Sequence, residues 1–360
     1  MSEAASVRSG AFPFAAIVAP AAAFALSLLV AGVSLWLGGH DPLRAGAALL
    51  GGAIGSTDAI LSVTLVRSVP FILTGLAVAL AFRAGVWNIG AEGQLYAGAL
   101  AATWVGLGFS WLPGPLHLAL VLAAAAVGGA LWALVPALLR VRLGVGEVIT
   151  TLVLNFVAVD LASWAVRGPL QESRRVFPQS EALALDVRLP ALWAGTRLHW
   201  GFVLAVVLAV ALWWALGRTL IGFKVRAVGS SPEAARVSGR IAVQPITLGA
   251  FLVSGAFAGL AGGVEVAGVT YALYEGLSPG HGYTAIAVAL LAGLNPLAVI
   301  PAGILFGGLE GGAGAMQRFA SVPAAWVGGV EALVILCALA VDQGVRRFGR
   351  AARYGRDEGA

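Results

Sequence analysis

Long apolar stretches without a charged residue alternate with short polar or glycine-rich breaks along this chain. The five longest are Phe12–Gly39, Gly93–Leu139, Trp200–Gly217, Ile241–Val264 and Gly276–Leu309. One helical crossing of a bilayer needs about 20 mostly apolar residues, so the longest stretches must fold back on themselves. None shows the period-two alternation typical of a transmembrane β-barrel. The pattern therefore predicts an all-α, polytopic bundle of membrane helices.

About ten segments are predicted to cross the membrane. They are 12–37, 68–82, 94–110, 117–139, 147–166, 200–217, 246–268, 283–294, 297–310 and 324–342. An even number of crossings places both termini on one side. The stretch 43–66 contains Asp58 and several glycines and is followed by Arg67, so we interpret it as a surface-lying or re-entrant segment.

Basic residues collect in alternate loops, and 59% of the 360 residues are hydrophobic while only 11% are charged. Short cytoplasmic loops carry an excess of arginine and lysine, so the side that holds most of these residues is predicted to be the cytoplasm, together with both termini. The loop 167–199 is an exception, since alternation places its five arginines outside. Because the basic residues flank apolar runs, they favour membrane lipid as a partner and not nucleic acid. The basic residues on the cytoplasmic side are Arg8, Arg83, Arg140, Arg142, Arg218, Lys224, Arg226, Arg236, Arg240, Arg346, Arg347, Arg350, Arg353 and Arg356.

Two pairs of short apolar segments occupy comparable positions in two halves of the chain, roughly 12–166 and 200–342. The first pair is interrupted at "GVWNIGAEGQ" and the second at "LNP", residues 294–296. Interrupted helices at matching positions are typical of transporters built from inverted repeats, in which they line a central route. Close packing of glycine-rich helices is the alternative explanation.

The first interruption carries polar side chains that the apolar surroundings do not explain. Backbone N–H and C=O groups at membrane depth must find partners, so Asn88, Glu92 and Gln94 are predicted either to satisfy them or to face a water-filled route. A plain cytoplasmic loop with a helix starting near Glu92 is the alternative. The predicted translocation-pathway residues are Trp87, Asn88, Glu92, Gln94, Asn155 and Asn295.

Three acidic residues fall within predicted spans: Asp160, Glu265 and Glu331. A charge at the bilayer centre costs about 3 kcal/mol, so each is expected to face the bundle interior or a span end. A proton relay through the three would make the protein an ion-coupled secondary transporter. Structural hydrogen bonding is the favoured interpretation, because no lysine or histidine stands within those spans.

The stretch 218–244 is predicted to be the longest cytoplasmic loop and to contain a short, complete helix in "SSPEAARVSG". Ser230 and Glu233 have the spacing of a capping box, Pro232 suits the first turn, and Gly239 is a typical C-terminal stop. Two turns of helix have little apolar surface of their own, which indicates a partner that holds them.

"EAARVSG" resembles the coupling signature of ABC importer permeases. "GVWNIGAEGQLYAG", "TTLVLNFVA" and "GYTAIAVALLAGLNPLAVIPAGILFGGLE" are similar to permeases of the ribose, nucleoside and branched-chain amino-acid superfamily, most of all its nucleoside branch. The likeness covers about residues 65–341 and implies a single permease domain over 1–360 in a bacterial plasma (inner) membrane. The implied cargo is a nucleoside or related sugar-containing solute, with simple sugars or branched-chain amino acids as alternatives.

The resemblance also implies partners: an ATP-binding subunit, a second and related permease subunit, and an extracytoplasmic substrate-binding lipoprotein. ATP and Mg²⁺ are expected on the ATPase, because Lys224 lies outside any G-x-x-x-x-G-K-[ST] context and nothing else in the chain suggests a bound cofactor, metal or catalytic cluster. The chain is therefore expected to be a non-catalytic subunit. The implied coupling residues are Ser230, Pro232, Glu233, Ala234, Ala235, Arg236 and Gly239.

Overall fold

A computed structural model describes residues 29–109, 111–323 and a few positions between 326 and 333, and this part of the chain is helical, with no strand beyond two isolated bridges. Residues 29–37 are helical as well. The labelled helices are α1 (Pro42–Ile54), α2 (Leu65–Arg83), α3 (Ala91–Gly108), α4 (Gly114–Leu143), α5 (Glu147–Arg167), α6 (Trp200–Arg218), α7 (Leu220–Ser230), α8 (Pro232–Val237), α9 (Val243–Glu265), α10 (His281–Leu291) and α11 (Pro296–Ala320).

Six helices in the described part are long and apolar enough to cross a membrane, and two shorter apolar helices, α1 and α10, accompany them. Sequence and structure therefore agree on an all-α, multi-pass membrane protein. The six are Ala59–Arg83, Gly114–Leu143, Glu147–Arg167, Trp200–Arg218, Val243–Thr270 and Pro296–Ala320. The predicted span 324–342 and most of 12–37 lie outside the described residues.

The second predicted span begins earlier than the sequence indicates. A π-helical turn, Ala59–Thr64, continues directly into α2, so this helix starts at Ala59 and not near 68. Arg67, which seemed to oppose a membrane helix, forms an ion pair with Glu310 of α11. Pairing lowers the cost of a charge in an apolar helix, so Arg67 does not exclude this helix as a membrane span.

The chain divides into two compact units, one formed by residues 1–51 and 312–360 and the other by 52–311. In the described part of the smaller unit, Leu35, Ala45, Met316 and Val322 form a buried apolar cluster. Helix α2 lies at the centre of the larger unit, since other helices bury most of its residues, whereas most residues of α4 are not buried. Every residue of α2 from Ser68 to Ala81 is buried, and all of them but Ser68 and Thr74 are non-polar, as expected of a helix segment enclosed by other helices.

Glycines let three helices of the larger unit approach backbone to backbone. On α9, Gly255, Gly259 and Gly263 recur every four residues and therefore share one face. A Cβ on Gly259 would lie only 2.7 Å from the Cα of Gly129 on α4, and a Cβ on Gly98 of α3 would overlap the backbone of Gly259. Small residues at such a stripe are how membrane helices pack closely without a hydrophobic driving force.

Contacts between turns define the two ends of the larger unit. At one end, here called the α8 end, Arg83 Nε donates to the Leu294 carbonyl (2.7 Å). At the opposite end, Arg167 pairs with Glu275 (2.7 Å). The connecting segments at the α8 end are 84–86, 144–146, 219–242 (which contains α7 and α8) and 292–295. Those at the opposite end are 111–113, 168–199 and 271–280.

Candidate functional site

Residues 84–90 form a non-helical segment that turns back into the bundle from the α8 end. Gly85 has φ +74°, a conformation that favours glycine, and reverses the chain after α2. Asn88 then lies beside Ala77, nearly two turns inside the end of α2: its Nδ2 donates to Ser254 Oγ (2.8 Å), which donates to the Ala77 carbonyl (2.7 Å). Apart from Gly85 and Trp87, which are exposed, the residues of the segment are thus buried or partly buried within the protein.

Amide side chains satisfy the backbone of this segment. Asn88 and Gln94 exchange two hydrogen bonds of 3.0 Å each, and Asn88 Oδ1 also accepts from the N–H of Gly90 (2.9 Å). From α5, Asn155 Oδ1 accepts from Gly93 N (2.8 Å) while its Nδ2 donates to the Ile89 carbonyl (2.9 Å). All three amides are buried within this chain. Buried backbone without such partners would be costly in a membrane.

The amino ends of two short helices meet at Glu92. Its Oε2 accepts from the N–H of Gly282 in the first turn of α10 (2.6 Å), where unpaired N–H groups and the helix dipole favour a carboxylate. A Cβ on Gly282 would overlap the backbone of Glu92, so the main chains of the two helix starts are in direct contact. Helices α3 and α10 therefore begin side by side inside the bundle, each after a non-helical segment.

The second interruption lies at residues 292–295, where Gly293 and Leu294 both have positive φ. Asn295 is exposed, and its Oδ1 accepts from Leu297 N (3.2 Å) at the start of α11. Trp87 is 55% exposed and packs on Phe82, with ring centroids 4.8 Å apart. Of the six predicted pathway residues, the structure brings Asn88, Glu92, Gln94 and Asn155 together in the interior and leaves the other two exposed.

The predicted capping box of Ser230 and Glu233 is wrong: the N-cap lies one residue later, at Ser231, and position N3 is then Ala234, which has no polar side chain to complete a box. Ser231 is the N-cap of α8, since its extended backbone lets the hydroxyl accept from Ala234 N (3.2 Å), whereas Ser230 is the last residue of α7. Gly239 has φ +67°, as expected just after a helix. Glu233, Ala234 and Arg236 of α8 are exposed, and Ala235 is buried.

Sequence reasoning missed a charged cluster between α2, α10 and α11. Glu310 pairs with Arg67, and its Oε2 lies 3.2 Å from His281 Nε2. The available signal was one charged or titratable residue in each of three apolar segments. In the described part of the chain, no hydrogen bond connects the acidic residues considered for a proton relay. Asp160 is exposed on α5, Glu265 is buried and makes no bond to Asp160, and Glu331 lies outside the described residues.

The loop 168–199 is folded onto the segment 267–275 at the opposite end. Leu183 N donates to the Tyr271 carbonyl (2.7 Å), and the Arg188 guanidinium lies 4.4 Å from the centre of the Tyr271 ring. Two carboxylates organise its exposed turn. Glu181 accepts from the hydroxyl and N–H of Ser173, and Glu172 accepts from Gln179 Nε2 and Phe177 N.

These bonds make the turn sensitive to acid. The Ser173 hydroxyl and N–H lower the pKa of Glu181, and the Gln179 amide and Phe177 N–H lower that of Glu172, both from an ordinary value of 4.5. A lowered pKa stabilises the folded turn above the ordinary value and loses that contribution as pH falls through the lowered one. We expect the exchange rates of the Ser173 and Phe177 amides, corrected for intrinsic pH dependence, to rise as the pH is lowered through the ordinary value of 4.5 and further below it. The Leu183 amide, bonded to a carbonyl, serves as the control; equal behaviour of all three would contradict the assignment.

Apolar crossing helices, two non-helical segments that meet in the interior and an exposed capped helix at one end define a multi-pass membrane transport protein. The family described as "Branched-chain amino acid transport system / permease component" matches residues 60–339. The chain belongs to this family and is the permease subunit of an ABC importer, a non-catalytic component whose ATPase is a separate partner.

Several curated relatives are similar over most of their length. The glucose ABC transporter permease protein TsgB13 of Haloferax volcanii is 42% identical over 86% of this chain and 83% of its own. The guanosine ABC transporter permease protein NupP of Bacillus subtilis is 38% identical over 90% and 91%, and the nucleoside ABC transporter permease protein NupB of Lactococcus lactis is 30% identical over 84% and 85%. The first two organisms each have a second similar permease protein, TsgC13 and NupQ respectively.

Proposed function

We propose that this chain forms the translocation pathway for nucleosides or a related sugar-containing solute. The contact between the starts of α3 and α10 at Glu92 and Gly282 carries the proposal, because discontinuous helices meeting inside a bundle are where transporters bind and pass their cargo. The substrate class follows the relatives, which are named for guanosine, nucleosides and glucose.

The buried amides are proposed to brace this route, while its surface includes Trp87. Indole rings stack on flat polar molecules and sugars, and Trp87 is exposed next to the braced segment. Uptake of labelled guanosine into proteoliposomes containing the whole importer, with unlabelled glucose as competitor, tests the substrate class. If glucose at a similar concentration reduces guanosine uptake, the result favours a sugar permease. If guanosine is taken up and glucose leaves that uptake unchanged, the result favours a nucleoside permease.

Helix α8 is proposed to dock on the ATPase, with Ser230, Pro232, Glu233, Ala234, Ala235, Arg236 and Gly239 forming the coupling segment. Its support is exposure combined with small size: α8 has only six residues, most of them solvent-exposed, and it packs through Ala235. A helix this short is not stable alone, so its position depends on neighbours and on any docked partner.

Glu233→Arg is expected to abolish uptake and to release the ATPase from the solubilised complex. The change reverses a charge at the amino end of α8, where a cation is disfavoured by the helix dipole, and places a longer side chain on the proposed docking face. Copurification of the ATPase and uptake are measured on membranes with equal amounts of permease. For copurification of the ATPase the control is Asp186→Arg, an equal charge reversal at an exposed residue of the opposite end. A Glu233→Arg variant that retains its ATPase would refute the docking role.

The remaining partners follow from the surfaces of the larger unit. The outer faces of α4, α5 and α6 expose large apolar side chains such as Leu131, Phe156 and Trp213, which suit lipid or a second, related permease subunit. We place the α8 end in the cytoplasm of a bacterial cell, with both termini, and the loop 168–199 outside, facing a substrate-binding lipoprotein. Two related permeases in each of two organisms support a pair of different subunits.

A further inference from the structure

Gly229, in the last turn of α7, touches the backbone of the turn that ends α2. A Cβ on Gly229 would overlap the Arg83 carbonyl oxygen and lie 3.1 Å from the Ala84 carbonyl carbon. From the other side, a Cβ on Gly85 would lie 3.2 Å from Gly229 Cα. No side chain stands between these two stretches of main chain. Such a contact is stiff, because close-packed backbone transmits a displacement without being absorbed by rotamer changes.

On one side of this contact, α7 and α8 are joined by a single residue. Ser231 N donates to the Ala227 carbonyl (3.2 Å) and so continues the bonding of α7, while its hydroxyl accepts from Ala234 N in α8 (3.2 Å). Ser231 is thus at once the C-cap of one helix and the N-cap of the next. A displacement of α8 is passed directly to Gly229, two residues earlier.

On the other side, the Arg83–Gly85 turn connects to both interrupted helices. Arg83 Nε donates to the Leu294 carbonyl (2.7 Å), which lies in the second interruption. Gly85 begins the first interruption, whose Asn88 is locked into the interior by Gln94 and Ser254. The same turn lines a cavity of about 200 Å³ together with Pro232 and Arg236 of α8, so there is room beside the contact for α8 to move.

We propose that Gly229 and the Arg83–Gly85 turn are the contact through which movement of α8 reaches both interruptions, residues 84–90 and 292–295. Gly229 is a positioning residue: it touches neither cargo nor nucleotide and acts by allowing the backbones to meet. The proposal rests on the docking of α8 to the ATPase described above. It adds the place where that motion enters the transmembrane bundle and identifies one turn that serves both interruptions.

Gly229→Ala in the assembled importer tests this contact. The added methyl group pushes α7 away from the Arg83–Gly85 turn, while alanine strengthens the helix itself, since glycine is the poorer helix former. We expect the ATPase to copurify and hydrolyse ATP as before, and uptake per ATP hydrolysed to fall by about tenfold, a loss typical of a broken coupling between sites. The matched control is Gly217→Ala, a helical glycine of α6 with open space at its Cβ position, which should transport normally.

Arg83→Met is the second variant, because it removes the bond to Leu294 without adding volume at Gly229. It should also lower uptake per ATP hydrolysed, and it decides the question if the Gly229→Ala complex does not assemble. The proposal is overturned if an assembled Gly229→Ala complex has a normal ratio of uptake to ATP hydrolysed, which includes the case in which uptake and hydrolysis fall in proportion. If that complex does not assemble, a normal ratio of uptake to ATP hydrolysed in Arg83→Met overturns the proposal. Failure of the docking role itself is recognised separately, since the Glu233→Arg variant would then keep its ATPase.

Discussion

Replacing Gly259 with leucine is expected to prevent the larger unit from folding. The α9 backbone at this position is in contact with α4 on one side and α3 on the other: a Cβ would lie 2.7 Å from Gly129 Cα, and Gly98 approaches from α3. Both neighbours are backbone, so no side chain can rotate away. Overpacking costs about 1–3 kcal/mol even where side chains can move aside. Here whole helices must separate, so we expect the cost to be a large share of a typical total stability of about 5–15 kcal/mol.

The measurement is the elution profile and thermal unfolding of the detergent-solubilised permease. The Gly259→Leu variant should aggregate or be absent from the membrane fraction. Gly249→Leu is the matched control, since Gly249 lies on the same helix with open space at its Cβ position and leucine is a good helix former. A monodisperse Gly259→Leu protein with the wild-type unfolding temperature would show that the three helices do not cross as described.

The positions of the helices are predictable here because the hydrocarbon core of a bilayer offers the backbone no hydrogen-bond partners. An uninterrupted apolar run in a bilayer therefore forms an α-helix, in which the backbone groups pair with one another. Accordingly, α4, α5 and α6 begin and end within a few residues of the predicted spans. Local chemistry is also readable, as with Gly239 after α8. The shift of the cap from Ser230 to Ser231 shows the limit of such reading. Two adjacent serines both have suitable side chains, and only the backbone conformation of Ser231 selects it.

Pairings between distant residues were not predictable from one sequence. Arg67 and Asp58 argued against a membrane helix at 59–67, because Glu310, the partner of Arg67, is far away in the chain. For the same reason nothing in the sequence linked Glu92, which lies in the first interruption, to Gly282, which directly precedes a predicted span. Patterns along a chain report the local solvent and the backbone geometry. The partner of a buried charge depends on how helices pack, which the pattern leaves open.

Asn88→Leu is expected to abolish uptake and to destabilise the permease strongly. Leucine has the same branching and the same number of side-chain heavy atoms, but it is larger and offers none of the hydrogen bonds that Asn88 makes with Gly90, Gln94 and Ser254. The Gly90 N–H and the Gln94 amide are then left buried without their partner. Each such group costs about 1–3 kcal/mol, so the summed loss approaches the stability of the fold. Uptake and the midpoint of thermal unfolding are both measured.

The double variant Asn88→Leu, Gln94→Leu distinguishes this explanation from simple damage to the core. Removing both partners of a buried pair leaves fewer unsatisfied groups than removing one, so the double variant should be more stable than the sum of the two single losses indicates. It should still fail to transport, because the Gly90 N–H remains unpaired and the segment 84–90 loses the side chain that fixes it to Ser254. Strictly additive losses would mean that the two amides do not interact, and the bracing of the interrupted helix would have to come from Asn155 alone.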